Sequence, residues 1–111
     1  MPFAVQAESP PLHEDVDGAL RVGDSRVLLE LVIRAFEDGA TPEVIVQRYP
    51  TLALSDAYAA VAYYLHHPRD IEQYLARRET QSETLREEIQ SKQRDLSAIR
   101  ARLLARRQAG A

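Results

Sequence analysis

Apolar residues recur at helical spacing through most of this chain, and their interruptions mark where one helix gives way to the next. Leu28 to Asp38 predicts a helix with Leu28, Leu31, Val32, Ala35 and Phe36 on one face and Glu30, Arg34, Glu37 and Asp38 mostly turned away. Gly39 supplies the left-handed residue that ends such a segment. Thr41 to His67 predicts two more helices. Thr41 caps the first, Pro42 opens it where an amide N–H is not needed, and Glu43 sits where the helix dipole favours a carboxylate. Val44, Ile45 and Tyr49 form its apolar side, and Pro50 stops it. After a turn at Thr51–Leu54, Ser55 is the expected cap and Asp56 the first-turn acid of an Ala- and Tyr-rich helix that runs to about His66 and ends at Pro68. Two helices joined by a turn of about four residues fit a helix-turn-helix unit.

From Asp70 to about Arg107 the pattern predicts one long helix. Steps of four and three land on Ile71, Leu75, Arg78, Ser82, Leu85, Ile89, Lys92, Leu96, Ile99 and Leu103, a coiled-coil seam broken at Arg78, Ser82 and Lys92. Glu79, Glu83, Glu87 and Glu88 cluster early, and Arg94, Arg100, Arg102, Arg106 and Arg107 cluster late. Complementarity to the helix dipole accounts for this order. Antiparallel pairing of two chains accounts for it as well. Ala109-Gly110-Ala111 is expected to fray.

Ahead of the helices, Ala19-Leu20-Arg21-Val22, Gly23-Asp24-Ser25 and Arg26-Val27 predict a short strand, a turn, and a second strand or an extended lead into the first helix. A lone hairpin of this length is not stable and must pack on helices or pair with another copy. Residues 1–18 hold Pro2, Pro10 and Pro11 without periodicity and predict a disordered or loosely docked acidic arm. The expected organisation is that arm, a helix-turn-helix-like domain over 19–67, and a long coiled-coil-like helix over 68–108. The fold class is mainly α: a helix-turn-helix-like three-helix core, a short N-terminal β-hairpin and a long C-terminal helix.

Composition sharpens this picture in two places. The packed part is near the size, about 60 residues, at which a lone core is marginal, so a homodimer is expected. The net charge of −3 over 111 residues is unevenly spread: −4 over 1–18, −2 over 19–67 and +3 over 68–111, so only the last segment attracts a polyanion. There is no cysteine, which suits a reducing compartment, and no apolar run reaches the roughly 20 residues needed to cross a bilayer. The first residues lack a basic start and an apolar core, so no signal peptide is read and a cytoplasmic protein with no membrane partner is expected.

Candidate chemistry is sparse. His66 and His67 are adjacent and point about 100° apart on a helix, His13 lies in the acidic arm, and no HExxH or paired His arrangement exists, so no metal site is read. Ser55-Asp56 has no histidine at a suggestive spacing, Ser25 lacks nucleophile-elbow glycines, and Gly18 and Gly23 make no phosphate loop. No enzyme and no cofactor are expected. Tyr58, Tyr63 and Tyr64 read as core or interface residues. Between Tyr49 and His67 the only formal charge is Asp56, whereas a groove-reading helix carries Arg, Lys, Asn or Gln near its start. DNA contacts, if made, fall to Arg21, Arg26 and Arg48. Partner or dimer contacts are expected at Tyr63, Tyr64, Ile71, Leu75, Leu85, Ile89, Leu96, Ile99 and Leu103.

Val22-Gly23-Asp24-Ser25-Arg26-Val27, Gly39-Ala40-Thr41-Pro42-Glu43-Val44-Ile45, Tyr49-Pro50-Thr51-Leu52, Ala57-Tyr58-Ala59 and Ala62-Tyr63-Tyr64-Leu65 together resemble the small prokaryotic family catalogued as domain of unknown function 433. The resemblance covers about Ala19 to Arg77, with Asp24-Ser25 standing where Gly-Thr or a similar pair is usual. It implies a helix-turn-helix-like fold, often dimeric, in proteins regarded as antitoxins encoded beside a PIN-like ribonuclease toxin. By that resemblance the long helix is the toxin-binding element, with Arg100, Arg102, Arg106 and Arg107 facing the acidic pocket of the nuclease. The expected function is a non-enzymatic interaction protein, antitoxin-like. The alternatives are a DNA-binding transcriptional regulator of helix-turn-helix type and a structural dimeric coiled-coil scaffold.

Overall fold

The computed structural model describes residues 3–109. The expected frayed residues Gly110 and Ala111, and the first two residues of the arm, lie outside them. Two strands and four helices follow in order: β1 (Leu12–Glu14), β2 (Leu20–Val22), α1 (Leu29–Glu37), α2 (Pro42–Arg48), α3 (Leu54–His66) and α4 (Pro68–Ala109). The chain is mainly helical, with a short antiparallel hairpin ahead of the helices and a long C-terminal helix, the expected fold class. It divides into two units, residues 1–73 and 74–111.

In the first unit α1, α2 and α3 pack pairwise, and β2 lies against α1 and α3. Leu29, Val32, Ile33, Ile45 and Leu52 are buried between them, with Val22 below. The face that α3 turns inward is Ala57, Ala60 and Val61, small side chains that allow close approach. The expected apolar face of α1 is corrected by rotation: Leu29, Val32, Ile33 and Ala35 are buried, Glu30 joins them, and Leu31 is exposed. Leu28-Leu29-Glu30-Leu31-Val32-Ile33 is apolar on nearly every side, so spacing alone does not fix which side faces the core.

The ends of the helices follow local chemistry. Thr41 Oγ1 accepts the Val44 amide at 3.3 Å and Pro42 opens α2. Thr41→Ala is expected to cost about 1 kcal/mol, measurable as a lower midpoint in chemical unfolding. Gly39 takes φ +97°, with its amide bonded to the Phe36 carbonyl and that of Ala40 to the Ala35 carbonyl, so the expected stop of α1 is a Schellman motif. For α3 the expected cap is corrected: the cap position is Ala53, with no side-chain bond, and Ser55 lies inside the first turn.

The hairpin also differs from expectation. β2 pairs antiparallel with β1, with Leu12 opposite Val22 and Glu14 opposite Leu20, whereas the Arg26-Val27 side supplies only a single bridge between Arg21 and Leu28. Leu12–Glu14 therefore belongs to the sheet and not to a free arm. Its side chains are mostly exposed, and it is held by backbone bonds that leave no apolar alternation to read. The turn at Gly23–Ser25 forms as expected: Ser25 Oγ donates to the Val22 carbonyl at 2.6 Å and accepts the Val27 amide at 3.2 Å.

Candidate functional site

Asp15 knits the hairpin together. One carboxylate oxygen accepts the amides of Asp17 and Ala19 at 2.9 and 3.0 Å, and the other takes Arg21 Nε at 3.3 Å. The Ala19 amide leads in holding this carboxyl below its ordinary value, with the Asp17 amide and Arg21 adding to it against partial burial. Arg21 also donates to the Arg26 carbonyl. Of the three arginines proposed from the sequence to contact DNA, Arg21 is thus engaged in holding the fold. Arg26 and Arg48 are exposed. Asp-Val-Asp-Gly over 15–18 is a turn signal that could have singled out Asp15 beforehand.

The outer face of α3 carries Leu54, Tyr58, Ala62 and Leu65 at steps of four, four and three, all exposed. This is the face a reading helix would turn to a groove, and it is apolar, with no base. Tyr58 hydroxyl donates to Glu43 on α2. That bond is the leading cause that lowers the Glu43 carboxyl below its ordinary value and raises the Tyr58 hydroxyl above its own. A depressed carboxyl stabilises the fold above the ordinary carboxylate range, and that stabilisation is lost as pH falls through the lowered value. A raised phenol stabilises below its ordinary value, and that is lost as pH rises past the raised one. In Tyr58→Phe the Glu43 carboxyl is expected to titrate at higher pH than in the parent, read by carboxyl-carbon NMR. An unchanged Glu43 curve would mean the bond does not form in solution.

Tyr63 and Tyr64, expected at an interface, are half-buried. Tyr64 meets Phe36 edge-on with ring centres 6.4 Å apart, and its hydroxyl donates to Glu37 at 2.8 Å, a bond that leads in raising its pKa. It joins α3 to α1. Tyr63 lies against the His67 ring at 4.5 Å, and His67 Nδ1 stands 4.0 Å from Asp70. Among the described residues no three His, Cys, Asp or Glu side chains gather as a metal site requires. Among them, too, no helix is long and apolar enough to cross a membrane.

The seam residues fare differently along α4. Ile71, proposed for the interface, is instead buried, 3 % exposed, and Leu75 is half-buried. The arginine and serine at positions 78 and 82 then separate these from a second run. Leu85, Ile89, Leu96, Ile99 and Leu103 are all 46–65 % exposed, and their spacing puts them on one side of the helix. Arg100, Arg102, Arg106 and Arg107 are exposed beside them. Local pairing along this helix is mixed, with Glu83 and Arg86, and Lys92 and Asp95, three apart and opposite in sign. Glu88 and Lys92 stand four apart with favourable signs, but Glu79 with Glu83, Glu83 with Glu87, and Arg102 with Arg106 stand four apart with like signs.

Comparison with known proteins bears on the first unit. Residues 14–64 match the family model described as Protein of unknown function (DUF433). The matched segment runs from the end of β1 through most of α3 and takes in the Gly23 turn, the Thr41-Pro42 start of α2 and Tyr58, among the residues that carry the resemblance in the sequence. The exposed run on α4 lies outside it. No curated protein and no solved structure matches the chain.

Proposed function

We propose that this chain is a non-enzymatic interaction protein: a DUF433 domain of helix-turn-helix type that carries a long helix for binding another protein. The observation that carries this reading is the run Leu85, Ile89, Leu96, Ile99 and Leu103, five large apolar side chains left in water on one side of α4. Such a run marks a surface that is covered in use. The narrower reading is an antitoxin-like partner of a PIN-like ribonuclease. The sequence resemblance supports it, and so do the exposed arginines at 100, 102, 106 and 107, whose charge suits an acidic nuclease pocket.

The test is copurification from the native host of the full chain and of a truncation after Arg78, followed by mass spectrometry. A small nuclease is expected with the full chain and not with the truncation. Recovery of the same proteins with both would remove α4 as the binding element. Exposed Arg26 and Arg48 give some support to a DNA-binding reading, against which stands the apolar outer face of α3. Phosphate-dominated binding falls steeply with salt, so a gel shift on the operon's own upstream DNA at two salt concentrations separates the two. No shift at low salt excludes DNA.

A further inference from the structure

We infer that the exposed seam of α4 is covered by a second copy of the same helix, running antiparallel in one register. Leu85 faces Leu103 of the second copy, Ile89 faces Ile99, and Lys92 faces Leu96. The inference rests on the reading of α4 as the interaction element and names its occupant.

Charge along the helix chooses the direction. Residues 79–92 hold four acids against two bases, net −2, and residues 93–107 hold five arginines against one acid, net +4. A parallel pair sets each half against its like, whereas an antiparallel pair sets opposite halves together. The seam itself agrees. In a parallel pair every seam residue meets its own copy, so two Lys92 ammonium groups share one layer and two Arg106 guanidinium groups share another. In the antiparallel pair each Lys92 lies beside a leucine, along which its stem can run while the ammonium reaches water.

The same residues choose the register. Sliding one heptad in either direction brings Ile89 opposite Lys92 or opposite Arg106, whereas the register above sets leucine on leucine and isoleucine on isoleucine. From Leu85 to Leu103 the paired length is about 27 Å at 1.5 Å per residue. At the flanks Glu88 meets Arg102 and Glu79 meets Arg107 of the second copy, while Arg86 meets Arg100 and Asp95 meets itself. The flanks are nearly balanced, so the buried layers carry the choice.

The chain has no cysteine, which makes disulfide trapping clean. Full-length Leu85→Cys and Leu103→Cys, each exposed in the single chain, are equilibrated alone and mixed in a thiol–disulfide buffer, with helicity checked by circular dichroism. The mixed disulfide is expected to dominate. Self-linked Leu103→Cys at equal or greater yield means a parallel pair and overturns the proposal. As a second measurement, Glu88→Arg is expected to weaken self-association about tenfold through its two symmetry-related pairs, and adding Arg102→Glu to restore it. Absence of restoration overturns the register. A chain that captures a nuclease through α4 and never pairs with itself overturns this inference and leaves the proposed function standing. A self-paired chain with no nuclease partner does the reverse.

Discussion

Gly23→Ala is expected to destabilise the N-terminal unit strongly. Gly23 is buried at the turn after β2 with φ +60°, and a Cβ there would lie 2.3 Å from Asp56 Oδ2 and 2.9 Å from its Cγ on α3. The left-handed conformation costs a side chain roughly 1–2 kcal/mol, and overpacking against Asp56 adds about 1–3 kcal/mol. For a domain of this size a loss of about 2–5 kcal/mol lowers the melting temperature by on the order of 10–40 °C. Asp56→Ala in the same chain should recover the part due to crowding and leave the part due to φ. Thermal denaturation of the two single variants and the double variant separates these contributions. A Gly23→Ala protein that melts with the parent would show that the turn does not sit against α3 as described.

The second large effect is expected at the seam. Ile89→Asp combined with Ile99→Asp sets carboxylate against carboxylate in both isoleucine layers, and should weaken self-association at least 100-fold, a loss of about 3 kcal/mol or more in binding. The helix itself should respond too. In the proposed pair the second helix adds order to α4, whose like charges four apart at Glu79/Glu83, Glu83/Glu87 and Arg102/Arg106 weaken it locally. Circular dichroism of the double variant is therefore expected to lose helical signal, while the cooperative melting of the N-terminal unit stays near that of the parent. Retained self-association would mean the chains meet through another face, for which Leu54, Tyr58 and Leu65 on α3 are the exposed apolar surface at hand.

How much of this could be read beforehand depends on whether a feature is local. Thr41-Pro42, Gly39 and Pro68 carry their own backbone requirements, so the limits of α1, α2 and α3 were legible to within a residue or two. The seam of α4 was legible because its period persists over several heptads. The strand Leu12–Glu14 was not, since its pairing with Leu20–Val22 is made by backbone groups that any sequence possesses. The rotation of α1 was hidden because Leu28 to Ile33 is greasy on nearly all sides, and the buried position of Glu30 has no periodic signal. Among the candidate residues, exposure of Leu85 to Leu103 followed the pattern. Ile71 did not, because the same seam continues into residues that the fold itself buries. Arg21 looked like a free cation until Asp15, six residues away, was seen to hold it.

The central claim is that the apolar side of α4 is covered by a second copy of the same helix. Sedimentation equilibrium of the full chain over a wide concentration range tests it most directly. The account predicts a mass near twice the 12.5 kDa of one chain, falling to that of one chain in Ile89→Asp/Ile99→Asp. A single species at 12.5 kDa at every concentration, with α4 fully helical, would contradict it.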